Sequence, residues 1–167
     1  MDERLDIIFA RRSIRAYTDE PVSEADVEAL LQAGMAAPSG SNRKPWHFVA
    51  VTDAPTLGRL ADAHPYGKML RHAGLAIVVC GEPQISDWWV QDCTAATENI
   101  LIAVAALGLG GVWVGCHGRR DREDAVRGVL NIPQHIGVLS LLSIGHPAEE
   151  KAARTQYDAE RVHRGGW

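Results

Sequence analysis

Arg11, Arg12, Ser13, Ile14 and Arg15 place three guanidinium groups and one hydroxyl within five residues. Each guanidinium offers five N–H donors in a rigid fork that matches phosphate or carboxylate geometry. Ser13 adds a neutral donor, and charge-assisted bonds of this kind are about twice as strong as neutral ones. The segment reads as an anion clamp or as a basic helix end, since cations in a last turn favour the helix dipole. The whole chain carries a net charge of −4. A general nucleic-acid binder carries a basic excess, so this local positive site suits a small anionic ligand better than a polymer.

No other group of reactive side chains competes with it. The seven histidines (His47, His64, His72, His117, His135, His146 and His163) form no HExxH or comparable pair. Cys80, Cys93 and Cys116 lack CxxC or zinc-type spacing and are odd in number, so a reducing compartment is expected rather than a disulfide framework. Cys93 and Cys116 read as small buried hydrophobes. There is no GxSxG elbow and no Cys/His pairing for a covalent nucleophile. Gly108-Leu109-Gly110-Gly111 lies between a helix and a strand, the reverse of a dinucleotide-binding loop, and reads as a helix C-cap. Arg119-Arg120-Asp121-Arg122, with its interspersed acids, reads as a solvated helix start rather than a nucleic-acid contact. An anion clamp without acid, base or nucleophile motifs points to chemistry carried by a bound cofactor.

The elements that must hold this segment are legible in outline. At 167 residues, 46% hydrophobic and 23% charged, the chain suits one globular domain over 1–167. Leu5, Ile7, Ile8 and Phe9 form a short amphipathic helix that ends at the arginines. Ser23 is the expected N-cap of the next helix, with Asp26 three residues on; Val27, Leu30, Leu31 and Met35 follow at helical spacing, and the helix must stop before Pro38. Residues 36–45 form a loop of small and turn-forming types. Buried strands are expected at 46–52, 75–80, 112–116 and 138–144, with helical pieces near 54–63, 66–72 and 121–130. The longest helix, 88–107, is alanine-rich and apolar almost all round, so it should be central. Fully apolar strands between helices describe a sheet covered on both faces. Residues 148–167 are too poor in apolar side chains to form a core of their own and should lie across another surface. Met1-Asp2-Glu3-Arg4 leads into only a short apolar run, and no stretch reaches the ~20 apolar residues of a membrane span. A soluble cytoplasmic protein, without membrane or nucleic-acid partners, is expected.

Four stretches together resemble one family. Arg11-Arg12-Ser13-Ile14-Arg15-Ala16-Tyr17 resembles the opening motif of the nitroreductase family of flavin enzymes. Ala37-Pro38-Ser39-Gly40-Ser41-Asn42-Arg43-Lys44-Pro45-Trp46-His47-Phe48 resembles its second motif. Thr97-Glu98-Asn99-Ile100-Leu101 through Gly108-Leu109-Gly110 and Trp113 resembles its central helix and following strand. Gly145-His146-Pro147-Ala148-Glu149-Glu150-Lys151 resembles its C-terminal signature.

The resemblance implies an α+β three-layer sandwich, with a central mixed β-sheet covered by helices, in an interlaced homodimer holding FMN at the subunit interface. It implies that Arg11, Arg12, Ser13 and Arg15 hold the phosphate and the ribityl–pyrimidine edge of FMN, with Arg154 returning to the phosphate. Pro38 and Ser39 would touch the partner's flavin, with Asn42 close by. Backbone at Trp113, Val114 and Gly115 would face the isoalloxazine. Arg15, with Lys68 as a second candidate, would stabilise the negative charge that develops on flavin reduction. No side chain is assigned as a catalytic acid or base. The implied reaction passes hydride from NADH or NADPH through flavin N5 to an electron-poor small molecule such as a nitroaromatic or quinone; the alternative is a non-catalytic flavin-binding module. Lys44 departs from the family, which often has glutamine there, and the stretch 81–90 lacks the long insertions that shape family substrate pockets. Trp88 and Trp89 could line a pocket or pack at the helix start.

Overall fold

Residues 75–81 show how the layers arise. In this strand, β2 (Leu75–Gly81), Leu75, Ile77 and Val79 enter one hydrophobic core while Ala76, Val78 and Cys80 enter another. Successive strand side chains point to opposite faces, so an all-apolar strand needs cover on both. The computed structural model, which describes residues 2–167, supplies it. Helices α2 (Glu24–Met35) and α4 (Trp89–Ala106) cover one face. Helices α3 (Ala54–Ala63) and α5 (Arg120–Leu130), with a 3-10 turn at Lys68–His72, cover the other. A short helix, α1 (Asp6–Ala10), lies against α4.

The sheet runs β1-β2-β4-β3, with β1 (Trp46–Val51), β3 (Gly110–Gly115) and β4 (Gly137–Gly145) completing it. Its direction differs from the mixed sheet expected. All four strands pair antiparallel, and the parallel element is one bridge, Ser13 to Gly111. Apolar strands report burial on two faces, and helical crossovers provide that burial here without parallel pairing. Strand β1 also differs from the buried strand expected, because it is an edge: Trp46 and Val51 are buried but His47 and Ala50 are exposed.

Helix ends follow the sequence closely. Ser23 Oγ accepts from Asp26 N at 3.1 Å and donates to the Asp26 carboxylate at 2.7 Å, a reciprocal cap. At the other end of the long helix, Gly108 takes φ +72, Gly108 N donates to Ala105 O at 3.2 Å and Leu109 N to Val104 O at 2.9 Å. That is the paired C-terminal closure in which glycine supplies the left-handed residue. Trp89 is an internal anchor. Its indole fills a notch between Gly81 and Gly137, register partners on β2 and β4, where any Cβ would overlap the ring. Trp88 remains 62% exposed beside Gly40. All three cysteines are buried and free, and burial pushes each thiol up to about 12.

Candidate functional site

The short helix ends at the arginines as expected, with Arg11 as its C-cap and no arginine in its last turn. Helix α1 closes at Ala10, and Arg11 already has extended dihedrals (φ −61, ψ 115). From there the chain runs alongside β3: Ser13 bridges Gly111, and Ile14 N donates to Gly111 O at 3.0 Å. Ile14 is the buried anchor of the segment, seated so closely on Gly110 that a Cβ there would lie 2.6 Å from it. Tyr17 pins the far end, its hydroxyl 2.9 Å from both the Ile14 and Ser143 carbonyls. Burial pushes this phenol up to about 12, so it remains a neutral donor.

A carboxylate and an ammonium from the C-terminal side fix the backbone between these anchors. Glu149 accepts from Arg15 N at 2.6 Å and Ala16 N at 3.3 Å. Lys151 Nζ donates to Ser13 O at 2.6 Å and to Glu149 at 3.2 Å. Bonds from the Arg15 backbone first, then from Lys151, hold the Glu149 carboxyl below its ordinary range. Arg11 pairs with Glu98 of α4 at 3.3 Å, and Arg12 donates to the Ala152 carbonyl. Arg154 lies nearby through its backbone, its N–H donating to Phe9 O at 3.1 Å, with its side chain exposed.

Extended geometry divides the predicted residues between two clefts. Arg11, Arg12 and Ile14 line a cavity of about 170 Å³ with Leu109, Glu149 and Lys151. Arg15 lines a second, of about 280 Å³, with Tyr66, Met69, Trp113, Val114 and Gly115. The floor of the second is a free sheet edge. The Gly111 carbonyl faces away from β4 to meet Ile14, and the two-residue period of antiparallel pairing turns the polar backbone groups of Trp113 and Gly115 the same way. The Gly115 carbonyl is taken by His64 Nε2 at 3.1 Å. The Trp113 and Gly115 N–H groups therefore face the cleft as donors, beside a cation. A Cβ built at Gly115 would meet no atom within 4 Å, so none of the described residues fills the space before it.

His64, which sequence reasoning left unassigned, is only 1% exposed. Its Nδ1 accepts from Tyr66 N at 3.2 Å, which leaves Nε2 as the protonated nitrogen that donates to Gly115. Burial, opposed by the Gly115 bond, lowers its pKa from 6.5. Above about pH 6.5 the ring is neutral in folded and unfolded chains alike. Below that value the unfolded chain takes up the proton first, so stability falls until the lower folded value is passed. Denaturation midpoints should therefore drop more steeply below pH 6.5 in the natural protein than in His64→Gln. Equal slopes would remove His64 from the acid response.

Pro38, Ser39 and Asn42 line neither cleft. They sit in a tight loop in which Ser41, Asn42 and Lys44 all take φ near +50 (52, 57 and 50). Strained backbone of this kind persists only where surrounding contacts over-determine it. Asp92 supplies one of those contacts and is itself held by Ser86. Its carboxylate, 5% exposed in the first turn of α4, accepts from Gly40 N at 2.8 Å and from Ser86 Oγ at 2.9 Å. Ser39 Oγ adds a second by accepting from Lys44 N at 2.9 Å. Asp92 had no motif to mark it; an acid in the first turn of a largely apolar helix was the available signal.

A sequence profile of the Nitroreductase family matches residues 8–64 and 61–146. The chain belongs to the nitroreductase family. A family relative from Archaeoglobus fulgidus, provisionally named NADH dehydrogenase/NAD(P)H nitroreductase, is 46% identical over 174 residues and covers 100% of both chains. A solved structure from Parabacteroides distasonis with the same provisional name is 38% identical, with a TM-score of 0.95 over 100% of both chains. A provisionally named nitroreductase from Desulfovibrio desulfuricans, solved in complex with FMN, is 31% identical with a TM-score of 0.85, over 100% of this chain and 99% of the other. These matches span the arginine segment, the 38–44 loop and β3 together. Among the described residues, no helix is long and apolar enough to cross a membrane.

Proposed function

We propose that the protein is an FMN-dependent oxidoreductase that takes reducing equivalents from NADH or NADPH and delivers them to an electron-poor small molecule, such as a nitroaromatic or quinone. One observation carries this reading: the 280 Å³ cleft joins the Arg15 cation to a bare sheet edge at Trp113 and Gly115. A planar heterocycle with hydrogen-bonding edges and a site of developing negative charge fits that combination. The FMN-bound relative and the family membership support it.

Bound FMN would supply the hydride chemistry, which needs no acid or base from the chain. The chain's own residues bind and orient. Arg15 faces the cleft, and Lys68 begins the adjoining 3-10 turn. Arg11, Arg12, Ser13 and Arg154 would hold the phosphate end, whose charge of about −1.5 to −2 suits guanidinium partners. Pro38, Ser39 and Asn42 lie outside both clefts and would serve the partner's flavin in a homodimer. The arm 148–167 fits the same arrangement. It contains only one 3-10 turn, Ala159–Arg161, and leaves Tyr157, Val162 and Trp167 exposed, apolar surface suited to a second subunit.

The purified protein should be yellow and should bleach when NADH or NADPH is added without air. A yellow protein that neither nucleotide reduces would be a flavin-binding module instead, and one that takes up no FMN would end both readings. Sizing in solution should give a dimer; an FMN-loaded monomer would contradict the shared site.

A further inference from the structure

The wall of the proposed flavin cleft is bare backbone at Gly115. Glycine has no side chain to wedge the backbone in place, and space is open before it. The strand pairing ends there with Ser140, and the next support from β4 is the Leu139 carbonyl, which accepts from Cys116 N at 3.1 Å and His117 N at 3.0 Å and leaves the Gly115 carbonyl untouched. What meets the Gly115 carbonyl is the buried His64 ring at 3.1 Å, with Arg122 Nη1 more distant at 3.5 Å. The same ring accepts from Tyr66 N at 3.2 Å, and Tyr66 is another lining residue of that cleft, two-thirds exposed beneath the Arg122 guanidinium at 5.2 Å. His64 thus connects two lining residues of the cleft, one on β3 and one on the loop after α3, through both ring nitrogens.

We infer that His64 is a positioning residue of the proposed oxidoreductase: its Nε2–H and Nδ1 together set the Gly115 and Tyr66 backbone against which the flavin and its substrates lie. This rests on the function proposed above. His64 touches no reacting atom. It acts by holding the floor of the cleft in one geometry, so that the Trp113 and Gly115 donors stay aimed into it. Orientation of this kind governs the rate at which a bound reductant reacts more than the affinity with which it binds.

The test uses the full-length FMN-loaded protein and three substitutions of His64. Glutamine reaches far enough for its amide N–H to replace the Nε2 donor to Gly115; asparagine does not, and leucine supplies neither partner. With NADH or NADPH as reductant, His64→Leu and His64→Asn should lower kcat by roughly tenfold, the rate equivalent of one hydrogen bond. KM and flavin content should change little, and the flavin visible absorption should shift. His64→Gln should return kcat to within about twofold of the natural protein, with its absorption restored. Should His64→Leu not fold, the Gln and Asn pair decides, since both are polar and differ in reach. Equal rates and spectra across all folded variants would overturn the inference, as would a glutamine variant no better than asparagine, which would leave only a packing role. Either result in a yellow, active natural protein overturns this inference alone; a natural protein that binds no FMN overturns the proposed function with it.

Discussion

Replacing Arg11 and Arg12 together by alanine should weaken FMN binding by roughly 3–6 kcal/mol, two charged hydrogen bonds at ~1.5–3 each. That is about 10²–10⁴ in Kd, large enough for the protein to purify colourless. The fold should survive. The Arg11 pair with Glu98 is partly exposed, with side-chain accessibilities of 28% and 47%, and such pairs contribute ~0–1 kcal/mol. Ile14 and Tyr17, which anchor the segment to the sheet, are untouched by the change. Titration of FMN into apoprotein, with a thermal melt beside it, separates the two effects. A double variant that retained full flavin affinity would overturn the phosphate assignment. Arg15→Ala is a useful contrast. Arg15 lines the other cleft, so its loss should alter the flavin reduction potential more than the affinity.

Asp92→Ala should be among the most destabilising single changes in the chain, by about 2–4 kcal/mol. It deletes an acceptor from one buried donor, Ser86 Oγ, and one half-buried donor, Gly40 N, and a buried polar group left unsatisfied costs ~1–3 kcal/mol. For a domain of this size that corresponds to very roughly 5–15 °C in melting temperature. The consequence should reach the proposed site as well. Gly40 N ties α4 to a loop with three left-handed residues, and that loop carries Pro38, Ser39 and Asn42. Asp92→Asn retains an acceptor for Gly40, and its amide can donate to Ser86, so it should recover most of the loss. If alanine and asparagine variants melted together with the natural protein, the carboxylate would not be what fixes the loop.

Much of this architecture can be read from residue order. Ser23 with Asp26 marks a helix start, Gly108 a helix stop, and the polar-free run at 75–80 a strand buried on both faces. Each of these signals is local, acting over one turn or one pleat, and so survives without knowledge of the fold. Strand direction is not local. Apolar runs are equally compatible with parallel and antiparallel pairing, and the crossovers decided for antiparallel. The edge position of β1 escaped for a related reason, since a half-exposed apolar strand and a buried one differ in their neighbours rather than in their residues.

The candidate site divides in the same way. The role proposed for Arg11, Arg12, Ser13 and Arg15 in holding an anion could be read from residue order because guanidinium clustering has a chemical meaning wherever it occurs. Glu149 and Lys151, which fix the backbone of that segment, come from more than 130 residues away. Asp92 and His64 carry no motif, because their work is to satisfy backbone groups that only the folded chain brings to them. By itself the sequence determined the layered helix–sheet plan, which follows from residue type and short-range spacing, and its four motifs carried the resemblance to the family to which the chain belongs. Tertiary structure alone decided that the chain leaves the short helix at Arg11 and runs along a sheet edge, and that extended geometry divides the arginines between two clefts. It also decided that a buried histidine stands behind the bare backbone of Gly115. Those outcomes depend on which distant groups compete for the same hydrogen-bonding atoms, and no local pattern encodes that competition.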